Sequence, residues 1–409
     1  MSIQKRFGSV LMAAMLLLTT ACGGSTDGNE ADSSTSSDVP AAGDTAGELT
    51  EWEQTADIYN TEQTDEELYE LAKQEGSVTL YSISSRCGKV AEAFNKKYPG
   101  VVCTAFDISG SELLEKVTRE YEAGKYVADV VHYKDQDGSI FAEYVTPKIF
   151  YNYRPADILA HVDETYQETS TPLYIEMTQL FYNGEVYPDE PPITNIWEVT
   201  MPEWKGRVMM QNILNDLAWA SWATGFCVGD TPAMLETAYK DLTGEDLVLS
   251  EGCENAGYEF LKRLYENDPI FTSSSDEVVE GVGTRGQTTP PIGFASSTKL
   301  RKNEDNDWCL VPINLEPTVG IPQINSLYVV NNCEHPNAAK LLIRFMMGGI
   351  DGDTSGYDPF NTLGGWPVRD DIEPAPGSVP LQDWNLLQVD TEEIYYNINQ
   401  VRDFWTGLG

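Results

Sequence analysis

The chain has 409 residues, of which 65 are acidic and 26 are Lys or Arg, so its formal net charge is −39 at pH 7. This charge argues against nucleic acid and anionic lipid surfaces as direct partners, because both are polyanions. Hydrophobic residues make up 41% of the sequence, which is ordinary for a globular protein, and the length suffices for two domains or two lobes.

The first 21 residues have the pattern of a secretory signal peptide. Lys5 and Arg6 precede an apolar stretch, residues 10–18, that is too short to span a bilayer. Small residues and Cys22 follow, and this arrangement resembles the lipidation signal of bacterial lipoproteins. An ordinary secretory signal with a chance Cys is the alternative. Both predict a protein that works outside the cytoplasm, in the periplasm or lipid-anchored on the extracellular face of the cytoplasmic membrane.

Residues 22–55 are predicted to be a lipidated Cys followed by a disordered tether. Ser, Thr, Gly, Ala and Asp dominate residues 25–48, with almost no large apolar side chains. Such a segment cannot bury enough surface to offset the entropy of ordering it. A diacylglycerol group on Cys22 would anchor the chain stably in the membrane.

Two capping boxes predict helix starts in the first part of the folded chain. Thr64 and Glu67 begin a helix that Gly76 ends, and Ser109 and Glu112 begin a second helix. A helical stripe of apolar residues, ended by Pro and Gly at 99–100, lies between them. The predicted strands that separate these helices cover residues 77–83, 101–106 and 127–133. Strand and helix alternate, which indicates a parallel α/β sheet.

The second part of the chain continues the alternation. The next apolar run, residues 174–182, is followed by several prolines and by a stretch framed by tryptophans. Further predicted elements are a strand at 208–210, a helix bearing Trp219 and Trp222, a helix at 258–265, strands at 290–295 and 324–330, a helix at 337–347 and a C-terminal helix with the apolar stripe Ile394, Ile398, Val401 and Trp405.

Six cysteines remain if Cys22 carries lipid, and an even number outside the cytoplasm suggests disulfides. Six cysteines allow fifteen pairings, so the sequence does not decide among them; our expectation pairs neighbours in sequence. The expected pairs are Cys87 with Cys103, Cys227 with Cys253, and Cys309 with Cys333. Their spacing does not match zinc ligands, and we expect no metal and no cofactor.

Several short segments resemble the extracellular solute-binding proteins of bacterial ABC importers. Individually they are weak, but their order and spacing extend over about 300 residues behind the lipoprotein-like signal. The branch that they resemble binds ferric ion, thiamine, polyamines, phosphonates or sugar phosphates. The segments are 76–82 (GSVTLYS), 94–99, 128–131, 181–183, 204–208 (WKGRV), 291–294 (PIGF), 335–341 (HPNAAKL) and 365–369 (GWPVR).

The resemblance implies a two-lobed α/β protein with the type II periplasmic-binding-protein fold and a double β-strand hinge. The crossovers are expected at residues 175–183 and 320–330. Lobe 1 would be residues 56–176 plus 320–409, and lobe 2 residues 177–319. A small molecule would bind in the cleft and close the hinge, and the partners would be this ligand and the membrane permease. The protein is expected to be a monomer.

Ligands of parallel α/β sheets bind beyond the carboxyl ends of the strands. Helix starts at these positions offer free N–H groups that suit phosphate or carboxylate, and Lys299 could add charge. The hydroxyl residues there are explained equally well as helix caps, and Trp219 and Trp222 as core packing. The candidate ligand-binding residues are Ser84, Ser85, Arg86, Ser109, Gly110, Ser111, Tyr133, Gln211, Asn212, Trp219, Ser296, Ser297 and Thr298.

These residues favour an anionic or phosphorylated organic solute, with thiamine, a polyamine or an iron complex as the alternative. Ferric binders of this branch carry two adjacent tyrosines where this chain has Ser296–Thr298, and Tyr395 with Tyr396 belongs instead to the C-terminal helix. Nucleophile-elbow, zinc-protease and Walker motifs are absent from the sequence, and the three histidines are isolated. We therefore expect no enzyme; a lipid-anchored sensor or hydrolase is the alternative class.

Overall fold

The computed structural model describes residues 48–409 except residue 388. The predicted signal peptide, Cys22 and most of the predicted tether lie outside the described residues. The predicted tether extends too far toward the C-terminus, because helix α1, Glu51–Ala56, has a complete capping box at Thr50 and buries Glu53. Within the described part of the chain, none of the helices combines the length and apolarity needed to cross a membrane.

Eleven strands of the described residues form one sheet. In chain order they are β1 Ser77–Ser82, β2 Val102–Asp107, β3 Val130–Lys134, β4 Phe150–Tyr151, β5 Thr171–Asn183, β6 Val208–Gln211, β7 Ile270–Thr272, β8 Ile292–Ser296, β9 Leu310–Ile313, β10 Pro322–Val330 and β11 Trp366–Pro367.

Helices cover both faces of this sheet. The α-helices of the described residues are α1, α2 Asp65–Glu75, α3 Cys87–Lys97, α4 Gly110–Glu122, α5 Ala156–Leu159, α6 Leu217–Gly225, α7 Thr231–Thr243, α8 Ala256–Glu266, α9 Ser275–Gly283, α10 Lys302–Asn306, α11 Pro336–Met347 and α12 Thr391–Thr406. Short 3-10 turns cover Glu164–Tyr166, Ile196–Thr200, Pro202–Trp204, Ser297–Arg301 and Leu381–Asp383, and a π-turn covers Phe141–Val145.

The long strand β5 divides the sheet into two sections. Its first residues pair antiparallel with β10 and β11, and its last residues pair antiparallel with β8 and β9. We call β2, β1, β3, β10, β4 and β11 the first section, and β7, β6, β8 and β9 the second section. Strand order along the sheet is β2-β1-β3-β10-β5-β8-β6-β7.

The α/β prediction is confirmed: β1, β2 and β3 are parallel to one another, and so are β6, β7 and β8. Parallel neighbours put the carboxyl ends of their strands, and the helix starts that follow, at one edge of each section. The chain passes between sections along β5 and again between β9 and β10, near the predicted crossovers.

The C-terminal helix packs on the second section. As predicted, Ile394, Ile398, Val401 and Trp405 are its buried residues. The ring of Phe404 lies 4.9 Å from that of Tyr258 in α8, and α12 also packs along α6. The chain therefore passes between the sections a third time after β11, and this helix contacts elements within residues 177–319.

The capping box predicted at Thr64 is complete. The one predicted at Ser109 does not form, because the Ser109 side chain makes no capping bond at the start of α4. This hydroxyl instead lies near the Glu112 carboxylate.

The six described cysteines are free thiols, so the predicted disulfide pairing is wrong for this structure. Cys309 donates to Asn183 Oδ1 and Gly283 O in the second section, whereas Cys333 follows β10 in the first section, which keeps these two apart. The remaining expected partners are neighbours: the Cys103 thiol has its pKa raised to about 12, first by burial and then by nearby Cys87.

Candidate functional site

A cavity of about 320 Å³ lies between the two sections. Its walls are the segments that follow β1 and β3 in the first section and β6 and β8 in the second, together with the starts of α4, α6 and α9. Polar side chains of β5 and β10 form part of its lining. The cavity therefore occupies the carboxyl edge of both parallel sections, where a ligand site was expected.

Eleven of the thirteen candidate residues line this cavity. They are Ser84, Ser85, Arg86, Ser109, Gly110, Ser111, Tyr133, Gln211, Trp219, Ser296 and Thr298. The structure thus brings together five loops that are far apart in sequence.

Asn212 and Ser297 do not line the cavity, because each is committed to a backbone contact. Asn212 Oδ1 accepts the Leu214 N–H at 3.0 Å and closes a turn. Ser297 is fully buried; its hydroxyl accepts the Met177 N–H at 3.0 Å and donates to Gly364 O. Ser297 therefore links the end of β8 to β5 through its hydrogen bond with Met177.

Capping does not explain the serines at two of the helix starts. Neither the Ser109 hydroxyl at α4 nor the Ser296 hydroxyl before the turn Ser297–Arg301 caps its helix. Gly110 follows Ser109, and a Cβ there would lie 3.1 Å from the Tyr133 hydroxyl. The glycine therefore lets this phenol pack against the start of α4.

Sequence reasoning missed the cavity residues on the crossing strands. Tyr174, Glu176 and Thr178 alternate along β5 and line the cavity, as do Gln323 and Asn325 on β10. Alternate residues of a strand share a face. The signal was present, because Glu176 is a charge inside an otherwise apolar run.

Two of the four cationic side chains in the cavity are neutralised by carboxylates. Lys134 Nζ lies 2.8 Å from Glu176 Oε1, and Lys299 Nζ lies 2.9 Å from Asp276 Oδ1. Burial alone would raise the pKa of Glu176, but Lys134 and Arg86 outweigh it and hold the pKa at about 2. Glu176 is therefore ionised at neutral pH.

Arg86 is buried without a carboxylate partner. Its Nε donates to Ser84 Oγ at 2.9 Å, Nη2 to the Tyr174 hydroxyl at 2.8 Å and Nη1 to Thr362 Oγ1 at 3.4 Å. The guanidinium also lies over the rings of Tyr174 and Phe360, at 5.2 and 5.1 Å. The ion pairs of the described residues do not include Arg86.

Arg301 reaches the cavity from the second section and also lacks an ion pair among the described residues. Its hydrogen bond there is to Thr298 O. Burial lowers the pKa of Arg301, and the nearby charge of Arg86 lowers it further. Two guanidiniums from opposite sections thus line one cavity without a direct ion pair to a carboxylate of the described residues.

Two amide atoms of cavity residues are also unpaired. Gln136 Oε1 and Asn325 Nδ2 are buried and have no partner within the part of the chain that the structure describes. Buried polar atoms are usually satisfied by protein, water or ligand. The indole of Trp219 differs, since its Nε1 donates to Gln211 Oε1 at 2.9 Å, while Trp222 is packed in the core.

The metal-ligand groups found among the described residues do not include a residue of the cavity lining. Its phenols, Tyr133 and Tyr174, have pKa values raised chiefly by burial, so they stay protonated. Tyr396 is exposed on α12, and the Tyr395 hydroxyl donates to Glu143 at 3.1 Å. Neither lines the cavity, as expected for residues of a C-terminal helix.

One exposed group elsewhere has metal-ligand atoms close together. His161, Asp370 and Asp371 offer atoms within 4.8 Å of one another. Asp371, however, is paired with Arg369 at 2.7 Å. Its carboxylate is already neutralised, which leaves an ordinary surface cluster.

A second constellation resembles a catalytic triad in its distances. Ser77 Oγ lies 3.1 Å from His335 Nε2, and His335 Nδ1 lies 3.1 Å from Asp129 Oδ2. Asp129 also accepts the backbone N–H groups of Thr79 at 2.7 Å and His335 at 3.2 Å. We call these three residues the clamp, since they connect β1, the start of β3 and the start of α11.

The helix start beside the clamp is already occupied by a side chain of the protein. The N–H groups of Asn337 and Ala338 at the start of α11 are taken by the Glu75 carboxylate, at 3.1 and 2.7 Å. None of the clamp residues lines the cavity, and they lie at the opposite end of the first section. This arrangement fits a structural connection between sheet and helix.

Neither a protein-family model nor a curated protein sequence matches the chain. Solved structures do. Iron-bound HitA from Pseudomonas aeruginosa is 14% identical with a TM-score of 0.59, over 81% of this chain and 99% of that one. AfuA from Actinobacillus pleuropneumoniae with fructose-6-phosphate bound is 16% identical with a TM-score of 0.59, over 81% and 98%.

A third similar structure is the substrate-binding protein of an ABC transporter from Agrobacterium tumefaciens. It is 13% identical with a TM-score of 0.56, over 82% of this chain and 96% of that one. These likenesses cover nearly the whole length of each solved chain, and AfuA is described as a periplasmic binding protein. The described chain therefore has the type II periplasmic-binding-protein fold, the fold of the solute-binding components of ABC importers.

Proposed function

We propose that this protein is the solute-binding component of an ABC importer and captures a small anionic or phosphorylated organic compound in the cavity. The observation that carries the proposal is the pair of unpaired guanidiniums, Arg86 and Arg301, within a chain of net charge −39. A strongly acidic protein that concentrates cationic side chains in one cavity favours an anion there. Serine-rich helix starts on the first wall add N–H donors.

The two sections would act as two lobes, residues 56–176 with 320–409 and residues 177–319, hinged at β5 and between β9 and β10. Ligand contacts from both walls favour the closed form over the open one, because only the closed form makes them all. A membrane permease would then distinguish the loaded from the empty protein. Helix α12 departs from this division, because it packs on α6 and would move with the second lobe.

The N-terminal pattern supports a location outside the cytoplasm. A signal peptide over residues 1–21 and lipid on Cys22 would place the folded part on the extracellular face of the cytoplasmic membrane or in the periplasm. Mass spectrometry of the protein purified from membranes tests this. Recovery of a chain that still begins at Met1 would contradict it.

Isothermal titration calorimetry tests the ligand class. A panel of sugar phosphates, phosphonates, dicarboxylates, thiamine, polyamines and ferric citrate would be titrated into the protein from residue 48 onward. We expect saturable binding from the phosphorylated or dicarboxylate members. Tight binding restricted to thiamine or a polyamine would overturn the anionic assignment, and steady turnover of a panel member would favour the hydrolase alternative.

The iron complex stays the second candidate. AfuA and HitA, with the same fold, are described with fructose-6-phosphate and with iron. The cationic cavity and its protonated phenols disfavour bare ferric ion, but a ferric complex of an anionic chelator would satisfy the arginines. Comparing ferric citrate with citrate alone in the same titration separates the metal from its anion.

A further inference from the structure

The charged residues that line the cavity indicate how much negative charge the ligand carries, as well as the sign of that charge. Among the lining residues four are cationic (Arg86, Lys134, Lys299, Arg301) and two are acidic (Glu176, Asp216), an excess of two positive charges. Asp276 lies outside the lining and pairs with both Lys299 and Lys302. Asp216 Oδ1 accepts the Ala218 N–H and caps α6, and the two arginines are the lining cations that have no carboxylate partner among the described residues.

The two arginines also keep N–H groups available. A guanidinium has five donor N–H groups. Arg86 uses three of them, on Ser84, Tyr174 and Thr362, and Arg301 uses one, on Thr298 O. The acceptors are neutral oxygens, so they position the guanidiniums without cancelling their charge.

These neutral contacts hold the two cations on opposite walls. Arg86 is fastened to β5 through Tyr174, and Arg301 ends the turn that follows β8. Two like charges that face each other across a cavity oppose closure until a counter-ion enters. A planar guanidinium fits two oxygens of a tetrahedral oxyanion in a bidentate manner.

Resting on the proposed function, we propose that the ligand carries one doubly charged oxyanion group, such as a phosphate monoester or a monosubstituted phosphonate, which Arg86 and Arg301 bind together. The site selects by charge as well as by shape. A monoanionic sulfate ester or phosphodiester neutralises one arginine, leaves the other unpaired and binds more weakly. The remainder of the ligand faces Trp219, Gln136 and Asn325, where an aromatic surface and two unpaired amide atoms accept a polar organic body.

Phenyl phosphate and phenyl sulfate test this rule, because they have nearly the same shape and differ in charge. At pH about 7.5 the phosphate monoester is mostly a dianion, since its second pKa is near 6, whereas the sulfate ester is a monoanion. We expect calorimetry to give at least about a tenfold preference for the phosphate. The preference should shrink at pH about 5, where the phosphate ester is itself largely a monoanion.

Arginine variants test whether both walls contribute. Arg301→Met should weaken phenyl phosphate strongly and phenyl sulfate less, so that the preference for the dianion falls. Lys302→Met removes a neighbouring cation that is outside the cavity lining and should leave both affinities unchanged. A merely structural role of Arg301 would weaken both esters equally.

The outcomes separate the charge rule from the proposed function. Equal binding of the two esters, or a preference that Arg301→Met does not alter, would overturn the charge rule and leave an anion-binding protein. No binding of either ester at millimolar concentration would also overturn it. If only cationic or neutral members of the wider panel bind, the proposed function fails as well.

Discussion

The cavity and the clamp have similar ingredients and opposite electrostatics. Each contains a buried carboxylate, Glu176 in the cavity and Asp129 in the clamp. Burial is the first influence on both, but the pKa of Glu176 is held at about 2 by Lys134 and Arg86, whereas that of Asp129 is raised despite His335 and the Thr79 N–H. Cations outnumber carboxylates in the cavity, while the clamp pairs its groups internally.

This difference teaches how to separate a binding site from a structural cluster in one protein. The clamp has the distances of a catalytic triad, yet its hydrogen-bond donors and acceptors are already paired with groups of β1 and of the start of α11. Within the described residues, the cavity leaves guanidinium N–H groups and two amide atoms unpaired. Unsatisfied polarity around open space, more than residue type, indicates where a ligand completes the structure.

The largest expected effect is loss of affinity in Arg86→Met. A buried guanidinium that binds an anion contributes a charge-assisted contact, so affinity for the ligand found by the panel should fall about 100- to 1,000-fold, roughly 3–4 kcal/mol. Calorimetry measures it, with the exposed Arg119→Met as control. Unchanged affinity would mean that Arg86 does not bind the ligand, and the contrast drawn between the cavity and the clamp would be wrong.

The second largest expected effect is the loss at acid pH of the stability that ionised Glu176 contributes. The folded pKa of Glu176 is about 2, below its ordinary 4.5, so the ionised form stabilises the fold above pH 4.5, and this contribution is lost as pH falls toward 2. It corresponds to at most about 3 kcal/mol. Denaturant unfolding at several pH values should show a shallower slope in this window for Glu176→Gln.

The control for this measurement is Glu280→Gln, which changes an exposed glutamate and should keep the wild-type slope. Identical slopes for the wild-type protein and Glu176→Gln would mean that Lys134 and Arg86 do not lower the pKa of Glu176. Glu176→Gln also leaves Lys134 without its carboxylate partner. At neutral pH the free energy of unfolding of this variant should therefore be lower than that of the wild-type protein.

His335→Ala should destabilise the protein and leave its affinity for the ligand nearly unchanged. Removing the imidazole leaves Asp129 buried with fewer partners, which costs about 2 kcal/mol of unfolding free energy. Denaturant unfolding measures this, and calorimetry should find affinity within about twofold of wild type. The exposed His161→Ala is the control. Loss of binding with unchanged stability would show the clamp to be a site.

Tyr174→Phe should have the smallest effect. It removes one acceptor of Arg86 and keeps the ring on which the guanidinium lies, so affinity should fall by about three- to tenfold, near 1 kcal/mol. The matched control is Tyr357→Phe, a buried phenol whose hydroxyl has no partner in the described residues. Equal effects of the two variants would contradict a positioning role for Tyr174.

Much of the fold followed from local patterns. The Thr64 capping box, the alternating strands and helices, and the apolar stripe of α12 depend on neighbours in sequence, and these predictions are confirmed. Most candidate site residues were placed because the ends of parallel strands meet at one edge. Their role in binding stays a prediction.

What could not be read from the sequence depends on contacts between distant segments. The partners of Ser297 are Met177 and Gly364, so its burial has no local sign. The alternation of Tyr174, Glu176 and Thr178 was visible, but which face of β5 met a cavity depended on β8 and β10. The predicted cysteine pairing is also wrong: the described cysteines are free thiols, and Cys309 and Cys333 lie in different sections of the sheet.

The described chain begins on one section and ends on the other. Trp52 in α1 donates its indole N–H to Cys333 O in the first section at 3.0 Å, whereas α12 packs on α6 in the second. A rotation about the hinge would therefore change the separation of the two ends. Fluorophores attached near residues 48 and 409 would report ligand capture by energy transfer, without a label inside the protein's interior.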